Sequence, residues 1–381
     1  MIKKFLFIAM LIIILFSLTG CYSSVDMDKY FYVVGLGLDL ADNGLIKVSI
    51  QIANNVLTTS NSSSSESSNS SQYQIYSVEA DTIDSAITIF NNYLNKKVNL
   101  SHCTVLVISE ELCKIGIKEF ISTLANNTEL RHSCVFLISS STAYDVLDKV
   151  GNSGKVFSSR LYDYLTTSTD YTGYTVDSTF GTFFTDLQNY QRDSIGIYTQ
   201  VSKETIQNNG TAVFKEDIYV GHLSVLDTIS HLMTTNELKS CTLSLPHNQQ
   251  ENEKIDLDIR LYKDTKINVE LINGTPFIDI TIYPTGSILN AGEGYDFTTD
   301  ESIKQIEFSA NKYIAHIVKD YLYEISKEYN SDIVGFAGVY AKTVATKEDL
   351  EKADFAKVFE DSFFKVNVET EIHSSNLFNK Q

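Results

Sequence analysis

The sequence predicts an α+β protein of several domains, three in all, with mixed β-sheets flanked by helices, a long helix in the C-terminal domain and a final edge strand. Strand-like and helix-like segments alternate through the first 150 residues, which predicts a mixed sheet covered by helices. A single apolar stripe runs from Ile303 to Ile325 at helical spacing, and Phe364, Val366, Val368, Thr370 and Ile372 alternate with polar residues at the end of the chain.

The first element is not part of the fold. Lys3 and Lys4 precede an uninterrupted apolar run from Phe5 to Leu18, and Leu18-Thr19-Gly20-Cys21 follows directly. The run is shorter than the roughly 20 residues that cross a bilayer, and it suits the hydrophobic region of a signal peptide. Small residues before a cysteine resemble the bacterial lipobox, in which the thiol takes a diacylglyceryl group and becomes the mature N-terminus. The expected processing is removal of residues 1–20 and lipid attachment at Cys21. Two acyl chains anchor stably where one does not.

Tyr30 to Leu40 and Leu45 to Ala53 read as strands joined through Asp42-Asn43-Gly44, a tight-turn signal. Residues 58–72 are almost wholly Ser, Asn and Thr, cannot bury apolar surface, and predict a flexible loop. A strand follows at Tyr73 to Val78, a helix at Asp81 to Tyr93, a strand at Cys103 to Ile108, and a helix from Leu112 to Leu124. A strand at Cys134 to Ile138 and a helix at Thr142 to Val150 close an N-terminal domain of residues 21–150. Residues 151–205 read as a small middle domain or subdomain.

The pattern resets in a C-terminal domain of residues 206–381. Gly210 to Phe214 and Ile218 to Val220 form a hairpin around Lys215-Glu216-Asp217, and a helix covers Val225 to Met233. Strands are expected at Ile255 to Tyr262, Thr265 to Ile272 and Phe277 to Tyr283. Thr298 and Glu301 fit a capping box for the long helix, which spans roughly 40 Å at 1.5 Å per residue. That helix should lie across a sheet, and the last strand should bury one face.

Composition narrows the function. The chain has 381 residues with 48 acidic against 30 basic side chains, a formal charge of −18 that becomes −20 once Lys3 and Lys4 are removed. Phosphate backbones need clustered Lys and Arg, so nucleic acid is excluded as a partner. An acidic surface gains nothing from anionic headgroups, and membrane attachment has to come from elsewhere.

Residues that suggest chemistry have simpler explanations. Gly35-Leu36-Gly37-Leu38-Asp39 lacks the third glycine of a dinucleotide loop and leads into a hairpin, so the glycines are read as room for close backbone approach. His102, Cys103, Cys113, His132 and Cys134 match no closed zinc spacing, and adjacent residues on a strand point to opposite faces. His222 and His231 are read as surface or packing residues, and Asp256 with Asp258 as a solvated pair. Cys103, Cys113, Cys134 and Cys241 can pair or stay free; apolar surroundings favour free core thiols, and the count assigns no partners. No nucleophile elbow, Walker loop or zincin motif occurs, and the expectation is no catalytic residue, no cofactor and no metal.

Taken in order behind the lipobox, several stretches resemble the spore germination lipoprotein family Ger(x)C, the C subunit of nutrient germinant receptors. They are Val33 to Ala53 (VVGLGLDLADNGLIKVSIQIA), His102 to Ile117, Glu129-Leu130-Arg131, Gly210 to Ser224 (GTAVFKEDIYVGHLS), Asp332 to Gly338 (DIVGFAG) and the closing strand. The chain departs from the family in carrying Tyr22 after Cys21 where Trp is frequent, and Leu226 to Thr235 lacks the Arg-Gly-Leu and Trp that relatives tend to carry. The resemblance implies a three-domain ectodomain tethered to the outer face of the spore inner membrane, working with A-type and B-type integral membrane subunits in the response to germinants. A solute-binding lipoprotein of a transporter shares the signal, anchor and size; it would show two similar lobes around a cleft, and no internal duplication is visible.

Overall fold

β1 (Tyr30–Leu40) and β2 (Ile46–Ala53) form the predicted hairpin, because Asn43 and Gly44 take φ of 61° and 78° and reverse the chain within the 42–44 turn. The computed structural model describes residues 27–53, 73–151, 169, 171–189, 191–202, 205–246, 254–291, 299–344 and 354–373, with positions 2, 4, 5, 7 and 10. The predicted loop at 58–72 lies outside the described residues, as does Cys21.

Around that hairpin grows a nine-stranded sheet. Its remaining strands are β3 (Tyr73–Ala80), β4 (Lys97–Asn99), β5 (Val105–Ser109), β6 (Val135–Ser139), β7 (Ile195–Val201), β8 (Ile206–Lys215) and β9 (Ile218–Leu223). They lie in the order β3-β2-β1-β5-β6-β7-β8-β9, with β4 also beside β1. Pairing is parallel from β1 through β7 and antiparallel toward both edges, the mixed arrangement expected. β5 and β6 read VLVIS and VFLIS and are buried along their whole length, as strands covered on both faces must be.

One face of this sheet carries α1 (Ile83–Tyr93), α2 (Glu110–Cys113), α3 (Lys118–Asn126) and α5 (Phe180–Leu187), whose Phe90, Ile121, Leu124 and Phe183 share a core. The single helix expected over Leu112 to Leu124 is divided. Gly116 turns at φ 97°, and the Ile117 amide donates to the Asp217 carbonyl before α3 begins. The opposite face carries α4 (Ala143–Gly151). A Cβ on Gly37 would stand 3.0 Å from Leu147 Cδ1 and 3.2 Å from Ala143 Cβ, so the glycine permits this strand and helix to touch.

The second sheet has five strands, β10 (Cys241–Pro246), β11 (Lys254–Ile272), β12 (Thr275–Ala291), β13 (Phe363–Val368) and β14 (Glu371–His373). The order is β10-β11-β12-β13, with β14 also paired to β12. The two strands expected between Ile255 and Ile272 are one. Their separation in the sequence pattern corresponds to register shifts between Leu261 and Lys266, where the alternation breaks but the ladder continues. β13 is parallel to β12 and lies at the edge, as the final alternation predicted.

The chain passes between the sheets through α6 (Val225–Thr234) and returns by α7 (Asp300–Tyr323), about 36 Å long at 1.5 Å per residue. Thr299 caps α7 by accepting from the Ser302 amide, one residue beyond the cap read from the sequence. Ile306, Ala310, Ile314, Ile317, Val318 and Tyr321 form the buried stripe that packs on the second sheet. Side chains of α7 also hold the edge: Asn311 Oδ1 accepts from the Thr370 amide and Glu307 Oε1 from the Ile372 amide. A π turn at Glu324–Glu328 ends the helix, followed by α8 (Phe336–Ala341) and α9 (Phe355–Val358). β8 and β9 follow residue 205, where the sequence pattern places the start of the C-terminal domain, and they hydrogen-bond through β7 into the first sheet.

Candidate functional site

The residues first suspected of chemistry do not converge. His102 is exposed and lies edge-on to Tyr32 with ring centroids 4.5 Å apart, while His132 packs beside Phe180 and Phe184. Cys103, Cys113, Cys134 and Cys241 are buried free thiols. Cys103 and Cys134 face each other with 3.9 Å between sulfurs, and burial pushes the Cys134 thiol well above its ordinary range. Among the described residues, no group of three or more His, Cys, Asp or Glu side chains could hold a metal ion. Asp256 accepts from the hydroxyl of Ser244 on the neighbouring strand, and Asp258 from that of Ser240 just before it.

What the fold does concentrate is a polar junction between its halves, built on Asp193 at the entrance to β7. Asp193 Oδ2 accepts from the Asp332 amide at 2.9 Å and lies 3.2 Å from Ser331 Oγ, while Oδ1 accepts from the Glu216 amide at 3.1 Å. Lys215 Nζ lies 3.4 Å from the same carboxylate. In return the Asp193 amide donates to the Asp332 carbonyl at 3.0 Å, and Ser331 Oγ donates to the Phe214 carbonyl at 2.6 Å. Asp332 accepts from the amides of Gly335, Phe336 and Ala337 and so starts α8. Burial raises its pKa to about 6 against the pull of those three amides, and the charge on Asp193 adds to the rise.

A second set of contacts flanks the first. The Tyr198 ring stacks on His222 at 4.1 Å, and its hydroxyl donates to Glu110 Oε2 at 2.5 Å. Burial, followed by that carboxylate, pushes the Tyr198 pKa to about 12. Lys114 Nζ reaches Glu110 at 2.5 Å. The Tyr329 hydroxyl donates to Glu324 Oε1 at 2.7 Å and lies 3.1 Å from the His222 carbonyl. Its ring lies across Gly221, where a Cβ would come within 2.3 Å of it.

Between the two sheets lies α6, buried from Thr228 to Thr234. Two of its polar side chains are paired across the packing, Thr228 Oγ1 with Thr211 Oγ1 at 3.0 Å and His231 Nδ1 with the Tyr321 hydroxyl of α7 at 2.7 Å, while His231 Nε2 is buried without a partner. Burial, reinforced by the charge of Arg192, lowers the His231 pKa to about 3, so the imidazole that shares this hydrogen bond is neutral. The segment Leu226 to Thr235 is therefore an internal connector rather than an outward-facing surface. Its sequence carried a signal for this, since VLDTISHLMT holds one formal charge in ten residues.

The junction also accounts for two stretches that stood out in the sequence. GTAVFKEDIYVGHLS supplies Phe214, Lys215, Glu216, Gly221 and His222, and DIVGFAG supplies the capping carboxylate of Asp332. Asp193, Ser331 and Tyr329 carried no signal of their own, and Tyr321 was legible only as a member of the apolar stripe of α7. Such a network of charge-assisted hydrogen bonds fixes the relative position of two units; it does not place a nucleophile beside a base.

Comparison with known proteins adds the family context. The domain described as "Spore germination protein N-terminal domain" matches residues 23–200, and "Spore germination B3/ GerAC like, C-terminal" matches residues 209–376. Spore germination protein KC of Bacillus subtilis (strain 168) is 19% identical over 404 residues, covering 100% of this chain and 98% of the relative. The putative spore germination protein YfkR of the same organism is 20% identical over 356 residues, covering 90% of each. The crystal structure of the GerBC protein shares the fold with a TM-score of 0.60 at 17% identity, over 89% of this chain and 96% of that one.

Proposed function

The chain belongs to the GerAC family of spore germination proteins, and from that premise we propose that it is the non-enzymatic, lipid-anchored C subunit of a nutrient germinant receptor. The observation that carries the reading is the pair of family domains in sequence order across the chain, behind the Leu18-Thr19-Gly20-Cys21 lipobox. In this reading Cys21 bears the diacylglycerol, and the ectodomain sits on the outer face of the spore inner membrane beside A-type and B-type integral subunits. Among the described residues no helix is long and apolar enough to cross a membrane, so attachment in this reading falls to the lipid.

Anchoring also explains how a non-catalytic subunit can contribute. Confining two partners to one surface raises their effective concentration without any new contact. The rigid junction around Asp193 would then present one face of the ectodomain in a defined orientation. The test is recovery of a tagged chain from spore inner membranes, with the mass of its N-terminal peptide. A diacylated Cys21 co-purifying with A-type and B-type subunits is the expected result. For Cys21→Ala, the expected outcome is loss from the membrane fraction and slower germination; full membrane retention with normal germination would overturn the proposal.

A further inference from the structure

Lipid attachment at Cys21 would leave a six-residue tether before the first described helical turn at Met27–Lys29. At 3.3–3.6 Å per residue such a tether spans at most about 20 Å, so the end of the molecule that holds the start of β1 must stay near the bilayer. That end gathers aromatic and basic side chains.

Three consecutive aromatic residues open the strand, Tyr30, Phe31 and Tyr32, all partly exposed. β4 runs parallel beside them and places Lys97 opposite Tyr30 and Asn99 opposite Tyr32. Lys96 holds its ammonium 5.5 Å from the Phe31 ring centroid, and exposed His102 stands against Tyr32. The end of α1 comes down beside β4, where Asn91 Oδ1 accepts from the Val98 amide, and leaves Tyr93 half exposed. Lys29, Lys96 and Lys97 lie at this end, with Asp28 beside Lys29 in the chain and Asp84 and Glu129 lining the same depression as Lys97, in a chain whose mature formal charge is −20.

Tyrosine is enriched where a protein meets the headgroup layer, because its ring is apolar and its hydroxyl stays wet. Lysine stems lie along apolar surface and deliver their charge to phosphates. An anionic bilayer repels the acidic body of this protein, and Lys96 and Lys97 offset that repulsion at this end.

We propose that the N-terminal end of the first sheet is a membrane-facing foot, seating Tyr30, Tyr32 and Tyr93 in the lipid headgroup layer with Lys96 and Lys97 against lipid phosphates. The proposal rests on the anchored reading above and extends it: the anchor holds the protein at the bilayer, and the foot sets which end points down.

The chain has no tryptophan, so a single introduced indole is a unique optical probe. Tyr30→Trp, Tyr93→Trp and, as a distant control, Tyr262→Trp on the second sheet are made in the full mature chain. Each is placed on phosphatidylglycerol-containing vesicles that also carry brominated lipid. Each is tethered in two ways, by its own acyl chains and, in a Cys21→Ser background, by an N-terminal histidine tag on nickel-chelating lipid. The expected result is at least twofold quenching with a blue-shifted emission at positions 30 and 93, none at 262, and a loss of that quenching in Lys96→Glu/Lys97→Glu. Tethered protein whose indoles at 30 and 93 are no more quenched than that at 262 would overturn the foot, and leave the face open to a protein partner. Quenching at 30 and 93 in the tagged form alone, with no flotation of the untagged chain, would sustain the foot and overturn the acyl anchor.

Discussion

At Gly210 the backbone takes φ of 105°, and a Cβ there would stand 1.9 Å from the Leu223 carbonyl oxygen. Both the conformation and the space demand glycine, so Gly210→Ala should destabilise by more than about 3 kcal/mol in chemical denaturation. Gly44 supplies a contrast. It has φ of 78° but open space around it, and Gly44→Ala should cost only about 1 kcal/mol. A similar cost at the two positions would refute the steric part of the argument. His231 gives a pH signature. Its folded pKa, near 3, lies below the ordinary 6.5, so the unfolded chain binds the proton more readily. Its contribution is intact above pH 6.5 and declines as pH falls, by up to about 1.4 kcal/mol per unit. Asp332, raised to about 6, works in the opposite sense: its contribution is present below the ordinary 3.8 and is lost as pH rises through 6. The clean readout is the stability gap between wild type and His231→Gln, which should move against wild type as pH is lowered from 7 to 5. A gap independent of pH would mean that the imidazole titrates freely in the folded protein.

The elements were legible in proportion to how local their causes are. The β1–β2 hairpin follows from Asn43-Gly44, and the stripe of α7 from the spacing of its own apolar residues. The α7 cap was displaced by one residue because Thr298 and Thr299 offer the same hydroxyl, and only the geometry of the first turn selects Thr299. Thr299→Ala should lower stability by about 1 kcal/mol, measured as a shift in denaturation midpoint with unchanged slope. The break between α2 and α3 was missed because its cause is distant: Asp217 on the β8–β9 turn takes the Ile117 and Lys118 amides. The fusion of two expected strands into β11 is likewise a property of the β12 ladder beside it. Asp193 belongs at this scale too, since it ties β7, the β8–β9 turn and the start of α8 together. Asp193→Ala leaves the buried Asp332 amide without its side-chain acceptor, and should cost about 1–3 kcal/mol. Asp193→Asn should recover part of that loss by keeping an acceptor.

For the whole molecule, the position of α6 decides how the halves behave. A helix buried between two sheets couples their stability, and one core runs from Val107 and Leu137 of the first sheet through Ile229 and Met233 to Leu257, Ile280 and Ile314. We therefore expect a single calorimetric unfolding transition for the mature chain. A fragment of residues 206–381 would carry β8 without β7, leaving an unpaired sheet edge. That fragment should aggregate or melt without cooperativity, and cooperative melting of it would instead establish residue 206 as the edge of an independent domain.

The α+β class, the elements whose signals are periodic or turn-specific, the expectation of a lipobox at Cys21, and the family resemblance that the domain matches bear out were all legible in the order of residues. These rest on neighbours within a few residues, where spacing and residue type suffice. Tertiary packing was needed for β8 and β9 to complete the first sheet, for Leu226 to Thr235 to lie inside, and for Asp193 to meet Ser331 and Asp332 across more than a hundred residues. It also gathered Lys96 and Lys97 beside Tyr30 in a chain whose total charge had argued against any such cluster. The physical reason is common to all four: each depends on groups brought together by burial of apolar surface elsewhere, and composition sums over the distances that the fold creates.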